Sequence, residues 1–136
     1  MYKLAYRLMR LLRPREFLSL RYLRELERNQ WLSQDDLRDI EWRKLKRLLD
    51  HAYENVPFYR ERFRRAGFAP TDIRTMVDFH QIPLLTKDDI RAHGEDLIAR
   101  NYSINRMRRD STSGSTGIPI IIYHDYHSVP IVNAAL

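Results

Sequence analysis

No cysteine occurs among the 136 residues, which excludes a disulfide scaffold, a thiol nucleophile and any cysteine-ligated zinc site. Glycine is scarce as well. With only 4 in the chain, two that fall close together mark a place where the backbone needs unusual freedom. No window approaches the roughly 18 apolar residues that a membrane-spanning helix needs, because charges interrupt every stretch. The first turns carry charge throughout and lack an apolar signal region, so the N-terminus does not read as a secretory leader. A cytoplasmic location is the default expectation. What remains is a chain with 43% hydrophobic and 31% charged residues, suited to a globular domain rather than a disordered tail. A chain of this length forms one domain, burying about two-thirds of its unfolded surface.

The net charge of +6 is unevenly placed. Residues 1–65 hold 17 Lys and Arg against 10 Asp and Glu, whereas residues 66–136 hold 7 against 8. The basic excess therefore belongs to the N-terminal half, which suits an anionic partner there. Residues 1–13 form a basic amphipathic helix, with Leu4, Leu8, Leu11 and Leu12 on one face and Lys3, Arg7 and Arg10 on the other. It is expected to stop near Arg13, before Pro14. Two readings stand for residues 1–20: the apolar side docks on the protein's own core, or the segment contacts an anionic membrane surface. No motif or aromatic platform points to nucleic acid.

Helical signals continue through the first hundred residues. Ser33 with Asp36 forms a capping box for a helix whose apolar positions are Leu37, Ile40, Leu45, Leu48, Leu49, Ala52 and Tyr53, ended by Pro57. A short segment then runs to Gly67, placed as a C-terminal cap. Thr71 or Asp72 is expected to open a helix through Phe79, and Thr86 with Asp89 another that closes at Gly94. Tyr53, Phe58, Tyr59 and His51 read as packing residues around these helix ends, and Lys87 as a first-turn surface lysine.

After Asn101 the pattern changes. Residues 104–111 and residues 118–123 (IPIIIY) read as strands, the second apolar on both faces and restricted at its start by Pro119. Such a strand needs layers above and below it within a larger sheet. The apolar stretch that begins at Val129 gives no reason for a domain to end, so the sequence is expected to be the front part of a longer protein. His124, Asp125 and His127 lack the spacing of convergent metal ligands, so no metal site is assigned to them. Arg106, Arg108 and Arg109 read as a solvated strand face that also adds positive potential.

Between the two strands lies the most informative segment. Residues 111–117, STSGSTG, hold five hydroxyl side chains and two glycines without a charge. Successive N–H groups in such a turn form an anion site, to which hydroxyls add donors. It is not a Walker A loop, which would carry Lys and then Ser or Thr after the second glycine; here Ile118 and Pro119 follow.

The wording TSGSTGxP (Thr112 to Gly117, with Pro119) resembles the phosphate-binding signature of the adenylate-forming ligases. Two further segments, HAYENVPFY (residues 51–59) and PLLTKDDIR (residues 83–91), precede it in the order seen in phenylacetate–coenzyme A ligase-like proteins, including the capsular polysaccharide biosynthesis branch. The resemblance covers roughly residues 30–123. It implies an α/β architecture, a helical part of the ligase domain over 30–100 and the first strands of an incomplete AMP-binding region over 101–136, preceded by the basic amphipathic segment read from the sequence over residues 1–29. It further implies ATP, Mg²⁺ and coenzyme A as cofactors and a carboxylic acid as substrate. By the same resemblance Thr112, Ser113, Gly114, Ser115, Thr116 and Gly117 contact phosphate, and Thr116 also helps to position Mg²⁺. Ile118 departs from the family pattern, which often has a basic residue there. The family's aromatic-Gly-x-Thr-Glu segment, ribose-binding Asp and late lysine do not occur after Gly117, so the 136 residues are expected to hold no catalytic residue. The competing expectation is a non-enzymatic basic helical module on an anionic membrane.

Overall fold

The computed structural model describes residues 14–112, 117 and 119–135; the helix expected over residues 1–13 lies outside them. Pro14 opens helix α1 (Pro14–Asn29), a position where proline's fixed φ and missing donor cost nothing. Ser33 then caps α2 (Gln34–Asn55): its hydroxyl accepts the Asp36 N–H at 3.1 Å and donates to the Asp36 carboxylate at 2.6 Å. Val56 is extended (φ −106°, ψ 109°) because Pro57 follows it. Pro57 itself takes the first position of α3 (Pro57–Arg65). Gly67 ends that helix at φ +76°, where a left-handed residue lets the Phe68 N–H reach back to the Phe63 carbonyl at 3.3 Å.

The core forms where α2 and α3 meet. Leu49, Phe63 and Ile73 are buried, and Trp42, Leu45, Tyr53, Tyr59, Phe68, Phe79 and Ile82 pack around them. The Phe63 ring stands edge-on to Tyr53 at 5.9 Å and to Phe68 at 5.1 Å between centroids. Burial separates the apolar positions expected of α2: Leu49 is core, whereas Leu48 is 62% exposed. Lys46 spans the gap below Ile73. Its ammonium donates to the carbonyls of Pro70 at 2.6 Å and Ile73 at 3.1 Å, holding a 3₁₀ turn (Pro70–Asp72) against α2.

That turn corrects one expectation. The helix expected from Thr71 or Asp72 through Phe79 is split: Asp72 accepts the Ala69 N–H at 2.8 Å within the 3₁₀ turn, Ile73 drops into the core, and α4 covers only Met76–Phe79. Thr75 and Asp78 form the true capping box. The Asp78 carboxylate accepts the Thr75 N–H at 2.8 Å and the Thr75 hydroxyl at 2.9 Å. Those bonds hold the Asp78 carboxyl below its usual range. The Thr86–Asp89 box opens α5 (Lys87–Ala92) as expected. Residues 93–100 are tied back by the Phe58 N–H to the Asp96 carbonyl at 3.1 Å and the Arg100 N–H to the Asn55 carbonyl at 2.8 Å.

Residues 104–106 form a second 3₁₀ turn rather than the start of a strand, so β1 is Arg108–Ser111. Strand β2 is Ile121–His124; Pro119, which has no N–H to give, stays outside it. The two pair antiparallel, with Arg108 opposite His124 and Ser111 opposite Ile121. The described part is thus mostly helical with a small two-stranded sheet, compatible with an N-terminal piece of an α/β protein. Helix α6 (Ser128–Ala135) follows, with Pro130 tolerated in its first turn. It packs along α1, burying Pro130 and Ala134. Phe17, Leu18 and Leu20 of α1 are half-buried, and the Arg15 guanidinium lies over the Tyr126 ring at 5.4 Å. The part of the basic N-terminal segment that is described therefore docks on the protein itself.

Candidate functional site

The hairpin builds the site from its base upward. At the neck the Thr112 N–H donates to the Ile120 carbonyl at 3.0 Å, and the Thr112 hydroxyl accepts the Ile120 N–H at 3.0 Å. These two hydrogen bonds join the chain at the ends of β1 and β2, on either side of the hydroxyl- and glycine-rich segment. Thr112 is thereby part of the frame. Its hydroxyl accepts from the backbone and keeps its own proton to donate. Gly117 has φ +150°, a conformation that side-chain-bearing residues rarely adopt, and a Cβ built there would meet nothing within 4 Å. Open space beside a glycine backbone is where a ligand can approach the main chain. Gly117→Val is therefore expected to cost about 1–3 kcal/mol through backbone strain alone, read as a lower urea midpoint with an unchanged slope. Ser113, Gly114, Ser115, Thr116 and Ile118 lie outside the described residues.

Charged neighbours of the loop are arranged around Asp110. Its carboxylate accepts from both the Nε and an Nη atom of Arg108, and stands 3.3 Å from the His124 Nε2. Arg108 is thus engaged within the hairpin, whereas Arg106 and Arg109 are exposed. Asp125 is engaged as well. Its Oδ1 accepts the N–H groups of His127 at 3.0 Å and Ser128 at 2.8 Å, which starts α6. Among the described residues no group of three or more potential metal ligands comes together. A donor-rich, acid-free loop fits a phosphate group by its chemistry; no described side chain is placed to add a metal ion to it.

Beside the hairpin lies a feature that periodicity did not show. A cleft of about 780 Å³ opens between β2 and the α5 region, lined by Tyr59, Leu85, Ile90, Ile98, Met107 and Ile120 among others. Burial pushes the Tyr59 hydroxyl above its usual range. The PLLTKDDIR segment forms one wall, and Arg62 of α3 fixes that segment in place. Arg62 bonds the Asp89 carboxylate at 3.0 Å, donates a second Nη to the Leu84 carbonyl, and stacks on Phe58 at 5.2 Å. Two elements of the resemblance, HAYENVPFY through Tyr59 and PLLTKDDIR through Leu85 and Ile90, thus meet at one cleft, with Pro119, Ile120, Ile121 and Tyr123 of the strand after the hydroxyl–glycine segment on its other side. No sequence period links Arg62 to Asp89. The pair becomes visible only when α3 and α5 are side by side.

Comparison with known proteins agrees with this arrangement. A phenylacetate–coenzyme A ligase of Escherichia coli K12 is 33% identical over 100 residues, which is 71% of this chain and 22% of that protein. A phenylacetate–coenzyme A ligase of Aromatoleum evansii is 34% identical over 101 residues, covering 72% of this chain and 22% of that protein. Protein CapK of Staphylococcus aureus, a capsule-related name, is 27% identical over 89 residues, covering 65% of this chain and 19% of that protein. No family model matches the chain. The chain is thus similar to phenylacetate–coenzyme A ligases over about 70% of its own length, and it spans about a fifth of the length of the curated relatives it matches.

Proposed function

We propose that these residues supply the phosphate-binding part of an ATP-dependent carboxylate–coenzyme A ligase. In that reaction the carboxylate attacks the α-phosphorus of ATP to give an acyl-adenylate and pyrophosphate, and the coenzyme A thiol then displaces AMP. The observation that carries this reading is the pair of hydrogen bonds between Thr112 and Ile120, which brings the two ends of the hydroxyl- and glycine-rich segment together on a two-stranded frame. Ser113, Gly114, Ser115, Thr116 and Gly117 would direct N–H and hydroxyl donors at the leaving pyrophosphate, with Thr112 setting the loop's width. Donors fixed in advance stabilise the charge that grows on the leaving group without reorganising. Thr116 helping to position Mg²⁺ belongs to the same proposal, as do a cytoplasmic setting and a place in the capsule-related branch. The reading of residues 1–20 as a membrane contact draws no support from α1, whose apolar face meets α6.

The test is carboxylate-dependent exchange of pyrophosphate into ATP by a family-length protein that begins with these residues. Gly114→Val is expected to lower exchange by at least roughly tenfold, the loss of one well-placed donor set, with the melting temperature unchanged. Full activity in that variant would remove the loop from the mechanism.

A further inference from the structure

One polar side-chain contact crosses the paired strands among the described residues: the His124 Nε2 stands 3.3 Å from the Asp110 Oδ2. Register places it there. Arg108 is opposite His124 and Asp110 opposite Ile122, so Arg108, Asp110 and His124 share one face of the hairpin. Ile121 and Tyr123, which line the cleft, leave the other face. A slip of one residue would turn Asp110 and His124 to opposite faces, so the contact exists only in the native register. The ladder has just four residue pairs, and a two-stranded hairpin is marginal by itself. One end is fastened by the Thr112–Ile120 bonds, and the other carries this half-buried cluster.

Histidine is the side chain whose charge ordinarily changes between about pH 5 and 8. A neutral ring must keep its single proton on Nε2 to meet the carboxylate. A charged ring donates from Nε2 in every case, and the bond becomes charge-assisted. The groups that face it from β1 are Arg108 and Asp110. Beyond it on the chain, Asp125 is occupied by the His127 and Ser128 N–H groups, and Arg15 of α1 lies over the Tyr126 ring. Arg108 alone would oppose a second cation directly across the ladder. The Asp110 Oδ2 offsets that repulsion, because it accepts the Arg108 Nε at 3.1 Å and meets the ring as well. His124 lies four residues from Ile120, roughly 13 Å along the strand, which is beyond a Debye length at physiological salt. It therefore acts on the hydroxyl–glycine segment through strand pairing rather than through its field.

We propose that His124 is a positioning residue for the phosphate segment: its protonated ring ties β2 to Asp110 of β1 and holds the register that sets Thr112 against Ile120. As the pH rises the ring loses its proton, the tie weakens, and the two ends of the segment part more often. The proposal rests on the ligase reading for what the segment binds, but not for the tie itself.

The experiment follows amide exchange at Thr112 and Ile120 in the 136-residue chain at pH 6 and pH 8, corrected for the intrinsic rate at each pH. The His124 ring is titrated by NMR in the same samples. Protection is expected to be about two- to fivefold higher at pH 6, the range of a cross-strand ion pair, and to fall as the ring titrates. The Val56 amide, bonded to the Ala52 carbonyl in α2, is expected to show no such step. His124→Gln is expected to hold the lower protection at both pH values, and His124→Lys the higher. Asp110→Asn, which leaves Arg108 facing a charged ring, is expected to reverse the sign of the step. A merely structural histidine would give a loss in every variant and no step with pH. Equal protection at the two pH values in the wild type would overturn the proposal, as would a step that persists in His124→Gln. Where a variant does not fold, the wild-type titration decides alone. In the family-length protein, the KM for ATP is expected to rise by the same factor between pH 6 and pH 8 relative to that of His124→Lys. A constant KM ratio beside an intact amide step would overturn the positioning role. Failure of the ligase reading shows elsewhere, as full activity in Gly114→Val, and leaves the amide step untouched.

Discussion

Phe63→Ala is expected to destabilise the helical part of the protein by about 3–5 kcal/mol, the cost of removing a fully packed aromatic side chain and leaving a cavity. Phe63 is only 2% exposed and is the hinge of the core: α2 supplies Leu49 and Tyr53 to it, the loop after α3 supplies Phe68, and Ile73 closes it from the 3₁₀ turn. Few other residues pack this deeply, since Leu49 and Ile73 are the only other members of the buried cluster among the described residues. A loss of that size approaches the whole stability of an ordinary domain. The expected result is a chain that is largely unfolded at 37 °C, seen as lost helical circular dichroism and a urea midpoint near zero. Phe63→Leu, which keeps most of the volume, is expected to retain a cooperative transition. A Phe63→Ala variant with wild-type stability would mean that the core is not centred here.

Arg62→Ala is expected to lower the melting temperature by roughly 5–10 °C, since two hydrogen bonds from a charged donor are lost at a half-buried site. The guanidinium joins α3 to the N-terminus of α5 through Asp89 and to the chain before it through the Leu84 carbonyl. Its Nε is buried with no partner among the described residues, so the group is held by its ends and by the Phe58 ring. Lysine cannot replace this fork, and Arg62→Lys is expected to recover little of the loss. The same contact gives a pH dependence. The Thr86 N–H and hydroxyl, and then Arg62, hold the Asp89 carboxyl at about 2 against an ordinary 3.8. A carboxyl depressed on folding stabilises the native state above its unfolded value and loses that contribution as the pH falls towards the folded one. Stability is therefore expected to decline between about pH 4 and pH 2, and Asp89→Asn to flatten part of that decline. The remainder belongs to Asp78 and Glu25, whose carboxyls are also held low, by Thr75 and by Lys44 respectively. An identical acid profile for the Asn variant would mean that Asp89 is not engaged in solution.

Much of the helical frame was legible because it is written in local chemistry. Thr86 with Asp89 is a capping box four residues long that the backbone forms in full, and Ser33 caps its helix by accepting the Asp36 N–H, though Asp36 bonds the Ser33 hydroxyl rather than its N–H. The same rule misplaced one helix, because Thr71 and Asp72 offer a plausible start three to four residues ahead of the Thr75–Asp78 pair that caps α4. Composition alone marked the hydroxyl–glycine loop, and the hairpin around it formed within a few residues of the expected limits. Long-range features were not legible. Phe63 sits in a segment crowded with Arg60, Arg62, Arg64 and Arg65, which hides its burial. Trp42 packs on the core while Leu48, one of the expected apolar positions, faces solvent, a distinction set by the crossing of α2 and α3. The Asp110–His124 contact depends on strand register, and the cleft on how four separate segments meet.

The pairing of α1 with α6 also sets an order of events during synthesis. The two helices lie about a hundred residues apart in the chain, so α1 leaves the ribosome well before its companion. At usual elongation rates the interval is roughly 5–20 s. Throughout it the half-buried leucines of α1 have no native surface to rest on, while the Phe63 core, built from neighbouring segments, can close early. For those seconds the N-terminal arm is the part of the nascent chain most open to chaperones and to wrong partners.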